Sequence, residues 1–297
     1  MPPFPPVPQE QANELVSFML NRGKTFFDTS PLYGLTVAES WLGALLATTP
    51  RDQFTVSTKA GYVLPMEAGT TRKWPRSEWT RENMFNSVQG SLQRLRLDRL
   101  DIVHLHDPDC CPREALEIAL PALAELRAQG VIGAVGAGMN QWQMLAEFAR
   151  QGDFDCFLLA GRYTLLEQDS LGLLDLCLEK GIAMFLGGVY NSGILATGAV
   201  QGAVYNYRPA KKEILERVQR IENLCRRYGI PLRAAALQFP LAHPAVRSLV
   251  IGVKNKVEYI QALIEVEIPI PLDFWAEMRQ EGLIHPDAPV PDSTSNS

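Results

Sequence analysis

Seven short apolar runs, near residues 26, 56, 104, 134, 157, 184 and 249, alternate along this chain with stretches of helical periodicity. Strand–helix alternation of this kind builds a parallel sheet with right-handed crossovers. In its closed form, the (β/α)8 TIM barrel, every strand points the same way and the C-terminal strand ends meet at one rim. The runs read as strands at Thr25–Asp28, Phe54–Lys59, Asp101–His106, Val131–Ala137, Asp155–Leu159, Ile182–Leu186 and Arg247–Ile251. Helices are expected over Gln9–Arg22, Val37–Ala47, Thr80 to about Arg96, Arg113–Gln129, Gln141–Arg150, Ser170–Lys180, Lys211–Tyr228, Arg233–Leu241 and Val257–Glu265. Gly130, Gly181 and Gly229 stop three of them. Tyr62–Glu78, rich in Gly, Pro and charge, reads as a loop.

Eight strands normally close such a barrel, and seven leave one place open between Thr25–Asp28 and Arg247–Ile251. Met1–Pro8 reads as a Pro-rich loop that would follow the missing strand, so the N-terminal hairpin and first barrel strand are expected to be absent. The expectation is one α/β domain over residues 1–297, with a flexible tail at 286–297. Open strand edges invite self-association.

Three of the runs end in polar residues. Asp28 ends the first, with Tyr33 five residues on in Asp28-Thr29-Ser30-Pro31-Leu32-Tyr33-Gly34. Lys59 ends the second and His106 the third. Taken singly, each has an ordinary reading as a turn, a cap or a solvated strand end. At one rim they make a proton-transfer centre. Tyr33 is the expected acid, since its phenol is retained protonated near neutrality yet pushed toward ionisation by a nearby ammonium.

Bulk properties exclude several classes. The net charge is −5 with no basic tract, which disfavours nucleic acid. No apolar run reaches the ~18 residues of a membrane span, and the N-terminus lacks a signal-peptide pattern. The five cysteines, Cys110, Cys111, Cys156, Cys177 and Cys225, show no disulfide-framework spacing and fit a reduced, cytoplasmic setting. Cys110-Cys111 lies close after His106, where oxidation is conceivable.

The segments Phe27–Gly34, Ser57-Thr58-Lys59 and Leu97–His106 resemble the aldo-keto reductases. Further stretches resemble the subgroup containing D-threo-aldose 1-dehydrogenase, L-fucose dehydrogenase and pyridoxal 4-dehydrogenase. They are His106–Asp109, Gly136–Trp142, Tyr190–Leu195 and Ala235–Pro244. The resemblance implies a NAD- or NADP-dependent oxidoreductase acting on the C1 of an aldose or on a related aldehyde or alcohol. It implies Asp28, Tyr33, Lys59 and His106 as the catalytic tetrad, with His104 filling the interior. It implies cofactor contacts at Asn140, at Ser192, Gly193 and Leu195 (pyrophosphate), and at Gly252, Lys254 and Asn255 (adenosine phosphate). Glu258, where an Arg or Gln often meets the 2′-phosphate, tilts the choice toward NAD. Ala160 and Gly187 depart from the family pattern, and no cofactor contact is carried over to them.

Three other readings stay open. A class I aldolase would use Lys59 as a Schiff-base nucleophile. His104-x-His106 has the look of a metal pair, but a metal needs further ligands that the remaining histidines, His243 and His285, do not supply at strand ends, so no metal is expected. A truncated, catalytically weak relative would serve as a binding or regulatory subunit.

Overall fold

Residue alternation along Phe54–Ala60 sets the layering. Phe54, Val56, Thr58 and Ala60 face one side and Thr55, Ser57 and Lys59 the other, and nearly the whole strand is buried. Both faces must therefore be covered, as in parallel sheets flanked by helices. In the computed structural model, which describes residues 7–23, 25–64 and 75–291, the chain divides into two compact units. One is Val7–Leu158 and the other runs from Leu159 onward.

The first unit begins with α1 (Gln9–Leu20), β1 (Thr25–Asp28), α2 (Val37–Leu46) and β2 (Phe54–Ala60). A two-residue hairpin follows, β3 (Tyr62–Val63) against β4 (Arg76–Ser77), inside the segment expected to be a loop. Residues 65–74 of that segment lie outside the described residues. Then come α3 (Arg81–Leu95), β5 (Leu100–His106), α4 (Pro112–Glu114), α5 (Leu120–Ala128), β6 (Ile132–Met139) and α6 (Trp142–Gln151). Thr80 caps α3, its hydroxyl accepting from Asn83 N. A single π turn over Ala115–Ala119 joins α4 to α5. Pro121 follows it, and a proline in a helix cannot donate to the carbonyl four residues back and clashes with it, which the wider turn relieves.

The strands run parallel in the order β1-β2-β5-β6, and β7 (Cys156–Ala160) follows β6. Register places Asp28 beside Ser57, Lys59 beside His104 and His106 beside Gly138. Val56, Val103, Leu105, Val135 and Ala137 are fully buried. Burying aliphatic side chains of this size contributes about 1.5–3 kcal/mol each. Gly136 is fixed by packing: a Cβ there would stand 2.4 Å from His104 Nδ1 and 2.7 Å from Cys156 O.

The second unit carries α7 (Leu171–Lys180), β8 (Ala183–Gly187), α8 (Ile194–Thr197), a hairpin of β9 (Val204–Tyr205) and β10 (Arg208–Pro209), α9 (Lys212–Arg227), α10 (Leu232–Leu241), β11 (Val246–Val250), α11 (Lys256–Val266) and α12 (Leu272–Gln280). Its strand order is β7-β8-β11, parallel. Asn206 and Tyr207, at the tip of the hairpin, both have positive φ, the conformation that matches the twist of a two-residue turn. In α9, Val218, Ile221, Leu224 and Cys225 form one buried stripe. The helix α12 was not expected; it buries Phe274, Trp275 and Met278.

The seven expected strands are all present, with β1 and β11 at the two ends of the order. Residues 1–6 of the expected N-terminal loop and 292–297 of the expected tail lie outside the described residues. Among the described residues, no helix is long and apolar enough to cross a membrane.

Candidate active site

The end of β1 delivers Asp28 into a buried ion pair. Its Oδ2 accepts from Lys59 Nζ at 2.6 Å, and its Oδ1 accepts from Ser57 Oγ at 2.5 Å. Lys59 Nζ also donates to Thr29 O at 2.8 Å. The two charged side chains are only 2% and 5% exposed. Burying both charges costs several kcal/mol, which is offset only where the remaining polar atoms are satisfied as they are here. Strand alternation explains the clustering: Ser57 and Lys59 lie on one face of β2, and register sets Asp28 beside Ser57.

Lys59 is held as an ammonium. Dehydration pulls its pKa down, but Asp28 and then Tyr33 outweigh that, and the net shift is upward. A lysine so charged offers no lone pair for a Schiff base, which counts against the aldolase reading.

Tyr33 follows in a tight turn, its N–H donating to Ser30 O at 3.0 Å. Lys59 Nζ stands 4.7 Å from the centre of its ring. The ammonium lowers the phenol's pKa, as expected from the sequence. It does not prevail: loss of hydration comes first and raises it, Asp28 and Asp107 add to the rise, and the net shift is upward from 10.0. The phenol is thus pushed by the ammonium yet kept protonated near neutrality, as expected, and Tyr33 is a protonated donor at neutral pH. Because the residue remains 43% exposed, solvent moderates the dehydration.

His106, the last residue of β5, has its ring edge-on to Tyr33 (centroids 6.1 Å, 89°) and to Tyr62 (5.6 Å, 74°). Its Nδ1 lies 3.2 Å from Ser30 Oγ. Burial first, then the Lys59 ammonium, lower its pKa to about 3, so the imidazole is neutral. His104, two residues deeper, is fully buried, as expected, with its pKa lowered to about 4. Beyond the rim, the Cys110 and Cys111 sulfurs are 3.1 Å apart.

The unit therefore brings together Asp28, Tyr33, Lys59 and His106. Ser57, Ser30 and Tyr62 also belong to the cluster and were not singled out from the sequence. Ser57 was accessible to reasoning, since it shares a strand face with Lys59. Ser30 and Tyr62 meet His106 only through the tertiary fold.

Asn140 immediately follows β6 in the same unit. The other expected cofactor residues lie in two loops of the second unit. Asn191, Ser192 and Gly193 have consecutive positive φ of 46°, 60° and 99°. Asn191 pins the loop, donating to Gly161 O at 3.2 Å and accepting from Thr164 Oγ1 at 2.6 Å. The N–H groups of Gly193 and Leu195 both donate to Tyr190 O. Ser192 Oγ accepts from Tyr207 N at 3.2 Å, which leaves the hydroxyl proton to donate. With the N–H groups of Asn191, Gly193 and Leu195 engaged within the loop, the Ser192 hydroxyl proton is the donor it offers to a phosphate. In the other loop, Asn255 caps α11 by accepting from Glu258 N at 2.9 Å. Lys254 N donates to Glu258 Oε2 at 2.8 Å, so a carboxylate already occupies part of this loop.

Comparison with known proteins decides the family. The model of the aldo/keto reductase family matches residues 4–281. This chain belongs to that family. As an aldo-keto reductase it is an NAD(P)-dependent oxidoreductase with the (β/α)8 barrel fold, seven of whose strands are described above. It is 36% identical to a D-threo-aldose 1-dehydrogenase from a Pseudomonas species and 35% identical to a pyridoxal 4-dehydrogenase from Microbacterium luteolum. Each alignment covers 95% of this chain and 91% of the relative. Among solved structures it is similar to the holo form of an aldo-keto reductase from Bacillus halodurans. That match has a TM-score of 0.76 at 20% identity, over 97% of this chain and 91% of the other.

Proposed function

We propose that this aldo-keto reductase transfers hydride to or from the C1 of an aldose, or a closely related aldehyde or alcohol, with Asp28, Tyr33, Lys59 and His106 as its catalytic tetrad. The observation that carries the reading is the buried Asp28–Lys59 pair, 2.6 Å apart, with its ammonium 4.7 Å from the Tyr33 ring centre. The likeness to an aldose dehydrogenase and a pyridoxal dehydrogenase supports the substrate class.

The bound nicotinamide supplies the hydride in reduction and takes it up in oxidation. The protein's part is the proton. In reduction, Tyr33 donates its hydroxyl proton to the carbonyl oxygen as C1 gains the hydride. Lys59 stabilises the phenolate left behind, and Asp28 holds Lys59 in place. In oxidation, the C1 hydroxyl gives its proton back to that phenolate. His106, neutral, orients the substrate oxygen. Asn140 and the loops at Ser192, Gly193 and Leu195 and at Gly252, Lys254 and Asn255 hold the cofactor. Glu258 accepts from Lys254 N in the last of these, and a carboxylate there repels a 2′-phosphate, so NAD is preferred to NADP.

The test is a steady-state assay with L-fucose, D-arabinose and pyridoxal, each with NAD and with NADP. Turnover of at least one aldose with the higher kcat/KM for NAD is expected. Folded protein that turns over no aldose, aldehyde or alcohol would sink the reading.

A further inference from the structure

The imidazole of His106 has two neutral forms that do opposite things to a substrate oxygen. With the proton on Nε2 it donates there; with the proton on Nδ1, Nε2 presents a lone pair that repels a carbonyl. A neutral ring does not choose between them by itself. Its surroundings must.

Ser30 makes that choice. Its residue is fully buried, so bulk water does not compete for the hydroxyl. Pro31, the next residue, has no N–H, and the following one, Leu32 N, donates to Ser30 Oγ at 3.1 Å. The Oγ is thus already an acceptor, and its single proton has to go elsewhere. The other polar atom within reach is His106 Nδ1, at 3.2 Å. Were Nδ1 protonated, Ser30 would accept twice and its own proton would have no partner among the described residues. If Ser30 donates to Nδ1, all three atoms are satisfied. Leaving a buried hydroxyl proton unpaired costs more than a hydrogen bond contributes, so the second arrangement prevails.

We infer that Ser30 is a positioning residue which fixes His106 as the Nε2–H tautomer and so makes it a hydrogen-bond donor to the substrate oxygen. Nε2 lies 3.9 Å from Asp107 Oδ2, beyond hydrogen-bond reach, and remains available to a substrate. The arrangement explains why a serine stands between the Asp28–Thr29 strand end and the Tyr33 turn: one short loop supplies the acid and sets the donor beside it. The consequence for catalysis rests on the function proposed above; the tautomer itself does not.

The experiment uses full-length protein labelled with 15N-histidine and two-bond 1H–15N correlation spectra between pH 6 and 9. The chain has four histidines, and the His106 signals are those lost in His106→Gln. The wild type is expected to show an unprotonated Nδ1 and a protonated Nε2 for His106 throughout. A protonated Nδ1 overturns the inference, whatever the activity. Ser30→Ala is expected to give a mixture of tautomers and to lower kcat about tenfold with a smaller change in cofactor KM, the size of one lost hydrogen bond. Ser30→Thr, which keeps a hydroxyl, is expected to restore both. An unchanged tautomer and kcat in Ser30→Ala also overturns it. Should the wild type show the Nε2–H form yet reduce no carbonyl, the tautomer assignment stands and the proposed function falls.

Discussion

The Tyr33 hydroxyl proton is the one the proposed chemistry must move in both directions. Tyr33→Phe removes it and keeps the ring that Lys59 overlies at 4.7 Å. Hydride transfer is expected to fall at least about 100-fold with cofactor affinity nearly unchanged, as for loss of a general acid. Single-turnover rates and cofactor titration check this, and retention of a tenth of wild-type kcat rejects the role. The raised pKa of Tyr33 gives the two directions opposite pH profiles. Reduction needs the phenol, so its kcat/KM stays level until above pH 10. Oxidation needs the phenolate, so its rate climbs roughly tenfold per unit from neutrality toward that range. With His106 neutral down to about pH 3, neither profile bends near pH 6.5. At this scale the sequence revealed the four residues because each lies at or just past a strand end. The upward net shift on Tyr33 was not legible, because dehydration depends on the packing around the hydroxyl and no spacing rule reports that.

On the side of β2 opposite Lys59, a second buried link holds the strand. Thr58 Oγ1 donates to Glu39 Oε1 at 2.5 Å, and Arg94 Nε donates to Glu39 Oε2 at 2.7 Å. Glu39 comes from α2 and Arg94 from α3, so one fully buried carboxylate ties both helices to the strand that carries Lys59. Glu39→Ala removes the buried carboxylate that both Thr58 and Arg94 bond to and should cost about 3–5 kcal/mol. Urea unfolding would show this as a lowered midpoint, and a change under 1 kcal/mol would mean the link is dispensable. Elements with strong periodicity were legible: α9 announces itself through Val218, Ile221, Leu224 and Cys225. The helix α12 was missed although Pro271 and Asp273 mark its start, because Pro269 and Pro271 make the segment look like a loop. The hairpins β3–β4 and β9–β10 have two residues per strand. Pairing that short is set by what lies alongside it, not by a pattern along the chain.

The whole molecule pays for its neutral imidazoles in acid. His104 and His106 have folded pKa values of about 4 and about 3 against 6.5 for the free side chain, both lowered chiefly by burial. His243, also lowered by burial, adds in the same sense. Between about pH 4 and 6.5 the unfolded chain therefore binds more protons than the folded one, and stability rises with pH. The contribution is fully present above 6.5 and is lost as the pH falls. His104 and His106 alone set a slope of up to about 2.7 kcal/mol per pH unit, which is large against a net stability of ~5–15 kcal/mol. Asp107 acts the other way, since its raised pKa lets the folded state hold a proton more readily, but only toward the carboxylate range. Lys59, raised above 10.5, contributes throughout this window and is lost only in alkali. Urea midpoints are thus expected to drop steeply from pH 7 to pH 5 and to change little from pH 7 to pH 9. His106→Gln, with no ring to protonate, should flatten the acid limb by about one proton. A level wild-type profile between pH 7 and 5 would mean that these rings take up protons in the folded state.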